Sequence, residues 1–146
     1  SGCRTIQEFA DAATAKYQAL YNQGYKIAEA RVAQGIIEDT NLAKGAVADQ
    51  YARVGLREWV VNVERMQEGP RTMIRINRRL YDPSGSGAFR IPDVYIPGAR
   101  TILDGSLSFK SRATPQVIDF QNFSGGARTT IIAPSGLKWG SYGVVH

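Results

Sequence analysis

Glu68-Gly-Pro-Arg-Thr-Met-Ile-Arg-Ile-Asn-Arg-Arg-Leu80 divides this chain into two grammars. Proline cannot continue a helix and biases the residue before it toward extended backbone, so Gly69-Pro70 ends whatever helix comes first. The residues after it alternate with a period of two: Ile74, Ile76 and Leu80 on one side, Arg75, Asn77 and Arg79 on the other. That spacing predicts a strand with one buried face.

Upstream of the break, from Ile6 to about Met66, the pattern is helical, rich in Ala, Gln, Glu, Lys and Arg and free of proline. Phe9, Ala13, Tyr17, Leu20 and Tyr21 recur at three- and four-residue spacings, as do Val54, Trp59 and Val63. These read as the buried stripes of amphipathic helices. Breaks are expected near Gly24, near Asp39-Thr40-Asn41 and near Gly45, giving two or three helices.

Downstream, Asp82-Pro-Ser-Gly-Ser-Gly87 has the residues of a hairpin loop. A second strand is expected over Phe89–Ile96, closed by Pro97-Gly98, and a third from Thr101 to Lys110. Pro115 follows Thr114 at a helix-start position, and Val117, Phe120 and Phe123 lie three apart, predicting a short helix that Ser124-Gly-Gly126 ends. A fourth strand is expected over Thr129–Ala133. The tail from Gly136 to Val145, with Trp139 and Tyr142, reads as another strand or a docked arm. The class is α+β: N-terminal helices, a three-stranded antiparallel meander, a short helix and a further strand. We expect one domain over residues 1–146, with a helical lead-in (1–68) packed on a core (71–146).

Composition narrows the chemistry. A chain of 146 residues with 43% hydrophobic and 21% charged residues is of single-domain size and globular character. No run approaches the ~20 apolar residues needed to span a bilayer. The start, Ser1-Gly-Cys-Arg-Thr, lacks the apolar core of a signal peptide, and we expect a segment cut from a longer protein. His146 is the only histidine and Cys3 the only cysteine, which excludes an internal disulfide, a cysteine-rich zinc site and an internal histidine base. Catalysis would therefore fall to carboxylates, Lys/Arg, hydroxyls or a bound metal. The net charge of +5 is uneven: residues 1–70 carry eight Lys/Arg against nine Asp/Glu, residues 71–146 ten against four. A basic C-terminal half attracts a polyanion such as nucleic acid, or an acidic protein.

Phosphodiester hydrolysis with a divalent metal needs oxygen ligands and a cation facing the phosphate. Asp93 is a candidate for the first and Lys110 for the second. Pro92-Asp93 in the second strand, a lysine ending the third, and Gln116 at the next helix start resemble the PD-(D/E)xK restriction-endonuclease-like superfamily over roughly residues 71–133. The resemblance implies that Asp93 and Asp104 bind Mg²⁺ or another divalent metal, that Lys110 stabilises the attacked phosphate or positions water, and that Gln116 supports the site. It also implies an acidic residue from the helices, for which Glu64 and Glu68 are candidates. Arg78, Arg79, Arg90, Arg100 and Arg128 would contact the nucleic-acid backbone. The chain departs from the motif at Ser108, where a carboxylate is expected two residues before the lysine. Asp104 and Lys110 share strand parity, but on a straight strand they lie ~20 Å apart, too far to act together unless the strand bends.

Arg90-Ile-Pro-Asp-Val-Tyr-Ile-Pro-Gly-Ala-Arg-Thr-Ile-Leu-Asp104 and the downstream Phe123-Ser-Gly-Gly, behind a helical lead-in, also resemble the C-terminal toxin domain of a bacterial polymorphic toxin of the Rhs, PAAR or contact-dependent inhibition type. That resemblance implies delivery from the producing bacterium into the target-cell cytoplasm, attack on nucleic acid, DNA before RNA, and an acidic cognate immunity protein as partner. Two alternatives stay open. One is a metal-independent ribonuclease using Lys110, Arg90, Tyr95 and Thr114; the other is a basic binding domain with no catalysis, in which Pro92 merely interrupts an edge strand and Asp104-Gly105 is a turn.

Overall fold

The computed structural model describes residues 4–137 and 140–145; Cys3, Trp139 and His146 lie outside the described residues. Helix α1 (Ile6–Ala33) starts at a capping box, in which Thr5 Oγ1 accepts from Glu8 N and Glu8 Oε1 accepts from Thr5 N. It runs straight through Gly24, where the sequence predicts a break. The reason is tertiary: a Cβ at Gly24 would sit 2.9 Å from the Cα of Ala48 on α2, so glycine there sets the closest approach of two helices. Its helix cost of about 1 kcal/mol is offset by that contact. The expected break at Asp39-Thr40-Asn41 is real. Thr40 caps α2 (Asn41–Glu58) by accepting from Ala43 N. Gly45, also expected to break the chain, sits inside α2, which continues into a π-helical turn over Trp59–Val63.

The rest of the chain forms two short sheets. A five-stranded mixed sheet has the order β1 (Arg75–Ile76), β4 (Val94–Ile96), β5 (Thr101–Gly105), β6 (Arg128–Ile132), β7 (Tyr142–Gly143). A separate two-stranded hairpin joins β2 (Leu80–Tyr81) to β3 (Phe89–Arg90). The first and second expected strands are thus each split in two. Asn77, at φ 56, turns the chain out of β1, and Ile91-Pro92-Asp93 separates β3 from β4 around a proline with no N–H for the ladder. The β1, β4 and β5 order is antiparallel, as a meander requires. Helix α3 (Pro115–Ser124) then crosses over so that β6 lies parallel to β5, and β7 closes the sheet antiparallel to β6.

The sheet's alternation divides the core. Val94, Ile96, Leu103 and Ile132 pack with Phe9, Ala13, Tyr17, Tyr21, Ala52 and Leu56 of the helical hairpin. Ile102 packs with Phe120, and Ile131 with Val117, beneath α3. Helices therefore cover both faces, and β5, central and buried on both sides, ends in the seam between α1–α2 and α3.

Candidate active site

Asp104 is the penultimate residue of β5, and Asp93 immediately precedes β4, its antiparallel neighbour. Extending the Val94–Leu103 register by one step brings these aspartates beside each other. Asp93 turns toward α2: its Oδ1 accepts from Arg53 Nη1 at 3.1 Å and its Oδ2 from the amide of Gly105 at 2.7 Å. Asp104 turns toward α3, its Oδ2 accepting from Lys110 Nζ at 3.0 Å. The same ammonium donates to Gln116 Oε1 at 2.6 Å, in the first turn of α3. All four catalytic candidates read from the sequence thus meet at the C-terminal end of β5, the end at which sites form in sheets with parallel crossovers.

The expected third strand, Thr101 to Lys110, is corrected here. The strand ends at Gly105, and the chain doubles back. Ser106 Oγ donates to the Ser108 carbonyl and accepts from Ser108 N, which closes a tight turn, and buried Leu107 anchors the loop in the helix-side core. Tyr142 Oη then grips Lys110 by both main-chain groups, accepting from its N at 2.7 Å and donating to its O at 2.9 Å. The ~20 Å separation of a straight strand is abolished, and Asp104 reaches the lysine from six residues away. Ser108 is exposed on the loop.

Reading the sequence missed what the helices bring. Tyr17 and Tyr21 of α1 and Asp49 of α2 surround the aspartates from the helix side. Gly105 is where they close in: a Cβ there would lie 2.3 Å from Tyr21 Cε1 and 2.6 Å from Asp49 Oδ1. Asp49 Oδ1 and both tyrosine hydroxyls are buried without a hydrogen-bond partner among the described residues. Tyr21 and Asp49 are near enough to perturb each other, yet their atoms miss hydrogen-bonding geometry.

The electrostatics arise from this crowding. Burial, then the charges of Asp93 and Asp104, pushes Asp49 up to about 8. Burial, then the charge of Asp93, pushes Asp104 up to about 7, against the pull of Lys110. Asp93 is raised by burial, with the Gly105 amide and Arg53 opposing. Burial and the neighbouring carboxylates hold Tyr17 and Tyr21 far above the usual phenol range, so both hydroxyls stay neutral. Three carboxylates here face two bonded cations, Arg53 and Lys110. Among the described residues no three His, Cys, Asp or Glu side chains are gathered as a ready metal-ligating group. The donors are nonetheless hard oxygens, and Asp49 Oδ1 has no partner among the described residues; oxygens of this kind suit a divalent cation.

The remaining candidates are placed elsewhere. Glu64 pairs with Arg4, and Glu68 bonds Arg57, Arg78 and the amide of Ile76; neither joins the aspartates. Arg79 lies over the Phe89 ring at 4.4 Å, and Arg90 bonds Asp119 of α3 at 2.7 Å. Arg100, in the left-handed region at φ 49, donates to the carbonyls of Gly125 and Gly126 behind α3. Arg100 and the exposed Arg128 stand at the starts of β5 and β6, about 13 Å and about 10 Å of strand back from the level of Asp104. Arg78, next to the Asn77 amide that donates to the Asp93 carbonyl, belongs to a group beside the aspartates. Tyr95 lies under Arg75, while Thr114 Oγ1 accepts from Ser111 N. In comparisons with known proteins, the chain matches no family, no curated protein and no solved structure.

Proposed function

We propose that this chain is a metal-dependent nuclease, with DNA favoured over RNA, built on a restriction-endonuclease-like core. In this reading it serves as the toxin domain of a polymorphic toxin, delivered into a rival bacterium's cytoplasm and neutralised by an acidic immunity protein. The observation that carries the nuclease reading is the meeting of Asp93, Asp104, Lys110 and Gln116 at the end of β5. The antiparallel β1–β4–β5 order, with a helical crossover to parallel β6, supports the core topology. The basic C-terminal half supports a polyanionic substrate and an acidic partner.

Asp93 and Asp104 would hold a divalent cation such as Mg²⁺, with Asp49 as the third carboxylate. When bound, that cation supplies Lewis acidity at a phosphate oxygen and acidifies a water. The chain's own groups do the positioning. Lys110 Nζ, fixed between Asp104 and Gln116, has a third N–H with no partner among the described residues, which would serve the attacked phosphate or the water. Gln116 restricts the ammonium to that direction. Arg53 keeps Asp93 oriented and adds a second positive charge to the phosphate side.

The test is incubation with plasmid DNA and with total RNA, each in Mg²⁺ or EDTA, beside Asp93→Ala checked for intact secondary structure. Mg²⁺-dependent loss of DNA, reduced at least ~10³-fold in the variant, is the expected result. Undiminished cleavage by Asp93→Ala overturns the assignment; RNA cleavage persisting in EDTA points to the metal-independent ribonuclease, and salt-sensitive binding without cleavage to a binding domain.

A further inference from the structure

Beside the carboxylate cluster sits a second charged assembly. The Glu68 side chain is 1% exposed and its carboxylate is saturated. Oε1 accepts from Arg57 Nε at 2.8 Å and Arg78 Nη2 at 2.9 Å; Oε2 accepts from Arg78 Nε at 3.0 Å and the Ile76 amide at 2.9 Å. Arg57 Nη2 also donates to the Ile76 carbonyl at 3.1 Å. Arg78 and the Ile76 amide alone would satisfy a buried carboxylate. Adding Arg57 leaves the group with a net positive charge. Both guanidinium groups are fixed from behind, yet their side chains stay 40% and 38% exposed. Neither Nη1 has a hydrogen-bond partner among the described residues.

Position gives this pair its meaning. Arg57 lies one turn beyond Arg53 on α2, and Arg53 bonds Asp93. Asn77, between Ile76 and Arg78, donates its amide to the Asp93 carbonyl at 2.9 Å. The pair therefore adjoins the candidate active site along both α2 and the β1 exit. A guanidinium fork whose orientation is already set loses little freedom on meeting a tetrahedral oxyanion, and it matches phosphate geometry better than an ammonium does.

We infer that Arg57 and Arg78, held by Glu68, form a binding site for a backbone phosphate of the nucleic-acid strand, flanking the phosphate that lies at the aspartates. The identity of this anion rests on the nuclease reading. The test is fluorescence anisotropy of a labelled oligonucleotide in EDTA, across a salt series, with the wild-type chain, Arg57→Gln, Arg78→Gln, Arg57→Lys and Arg78→Lys. Each Gln variant is expected to weaken binding about 10-fold and to lower the slope of log K against log salt by about one. The Lys variants keep the charge and lose the fork; they should retain the wild-type slope with intermediate affinity, a pattern that a purely structural role would not produce. They also serve as the reading if a Gln variant fails to fold. Unchanged affinity and slope in the folded variants overturns the inference. Its failure is separable from that of the nuclease reading: Asp93-dependent cleavage with Arg-independent binding removes only the phosphate site, whereas Arg-dependent binding without cleavage removes only the nuclease.

Discussion

Asp49→Asn should make this protein more stable at pH 8 and have a much smaller stabilising effect at pH 4.5. Asp49 is neutral in the folded chain until about pH 8, whereas in the unfolded chain it ionises near 3.8. Between those values the folded state holds the extra proton, so stability falls as pH rises. A single group displaced that far corresponds to an upper bound on the order of 5 kcal/mol at alkaline pH. Asp49 is partly exposed and shares its repulsion with Asp93 and Asp104, so relaxation and water entry reduce the expected gain to about 2 kcal/mol. Asparagine removes the charge while keeping the shape. In a chain of this size the gain is about 4–8 °C in Tm. The assay is thermal unfolding by circular dichroism at pH 4.5 and 8.0, in EDTA at low salt. Adding Mg²⁺ at pH 8 should raise the wild-type Tm more than that of the variant, because a bound cation relieves the repulsion that asparagine has already removed. Equal effects of Asp49→Asn at both pH values, or destabilisation at pH 8, would refute the electrostatic account.

Two further substitutions probe the geometry. Gly105→Ala forces a methyl group against the Tyr21 ring and Asp49, and should destabilise by about 3 kcal/mol in denaturant titration; a neutral result would mean that the helices do not close on β5 as described. Ser108→Ala should leave Mg²⁺-dependent cleavage within about two-fold of wild type, a surface change of the kind that usually costs under 0.5 kcal/mol. A large loss in that plasmid assay would put Ser108, not Asp104, beside the lysine in function.

Much of the fold is legible in the sequence because it is written locally. The helical period, the break at Asp39-Thr40-Asn41, the Pro115 helix start and the two-residue alternation of the strands each depend on a few neighbouring residues. The splitting of two strands is not, since Asn77 at positive φ and the interruption at Pro92 take their meaning from the pairings of β1 and β4. The site divides the same way. Asp93, Asp104, Lys110 and Gln116 are found by residue type and order, while the apparent obstacle, a lysine ~20 Å along the strand, arises from extending β5 past Gly105. Nothing in the strand period announces that Leu107 enters the helix-side core and carries the chain back.

Asp49 and Arg53 escape a sequence reading for a different reason. They sit four apart on a helix, a spacing ordinarily read as a surface ion pair, but here they flank the Ala48, Ala52 and Leu56 stripe that α2 buries in the core between α1 and the sheet. Their partners are not each other: Arg53 bonds Asp93, and Asp49 has an oxygen against Gly105 with no partner among the described residues. Gly105, having no side chain, lets Asp49 of α2 close on the end of β5, and that closeness turns a solvated acid into a largely buried one. A third carboxylate in such a place lowers stability, and two cations do not balance it. In the function proposed above, the missing positive charge would arrive with the ligand, which makes the Mg²⁺ dependence of Tm at pH 8 a test of that proposal as well as of electrostatics.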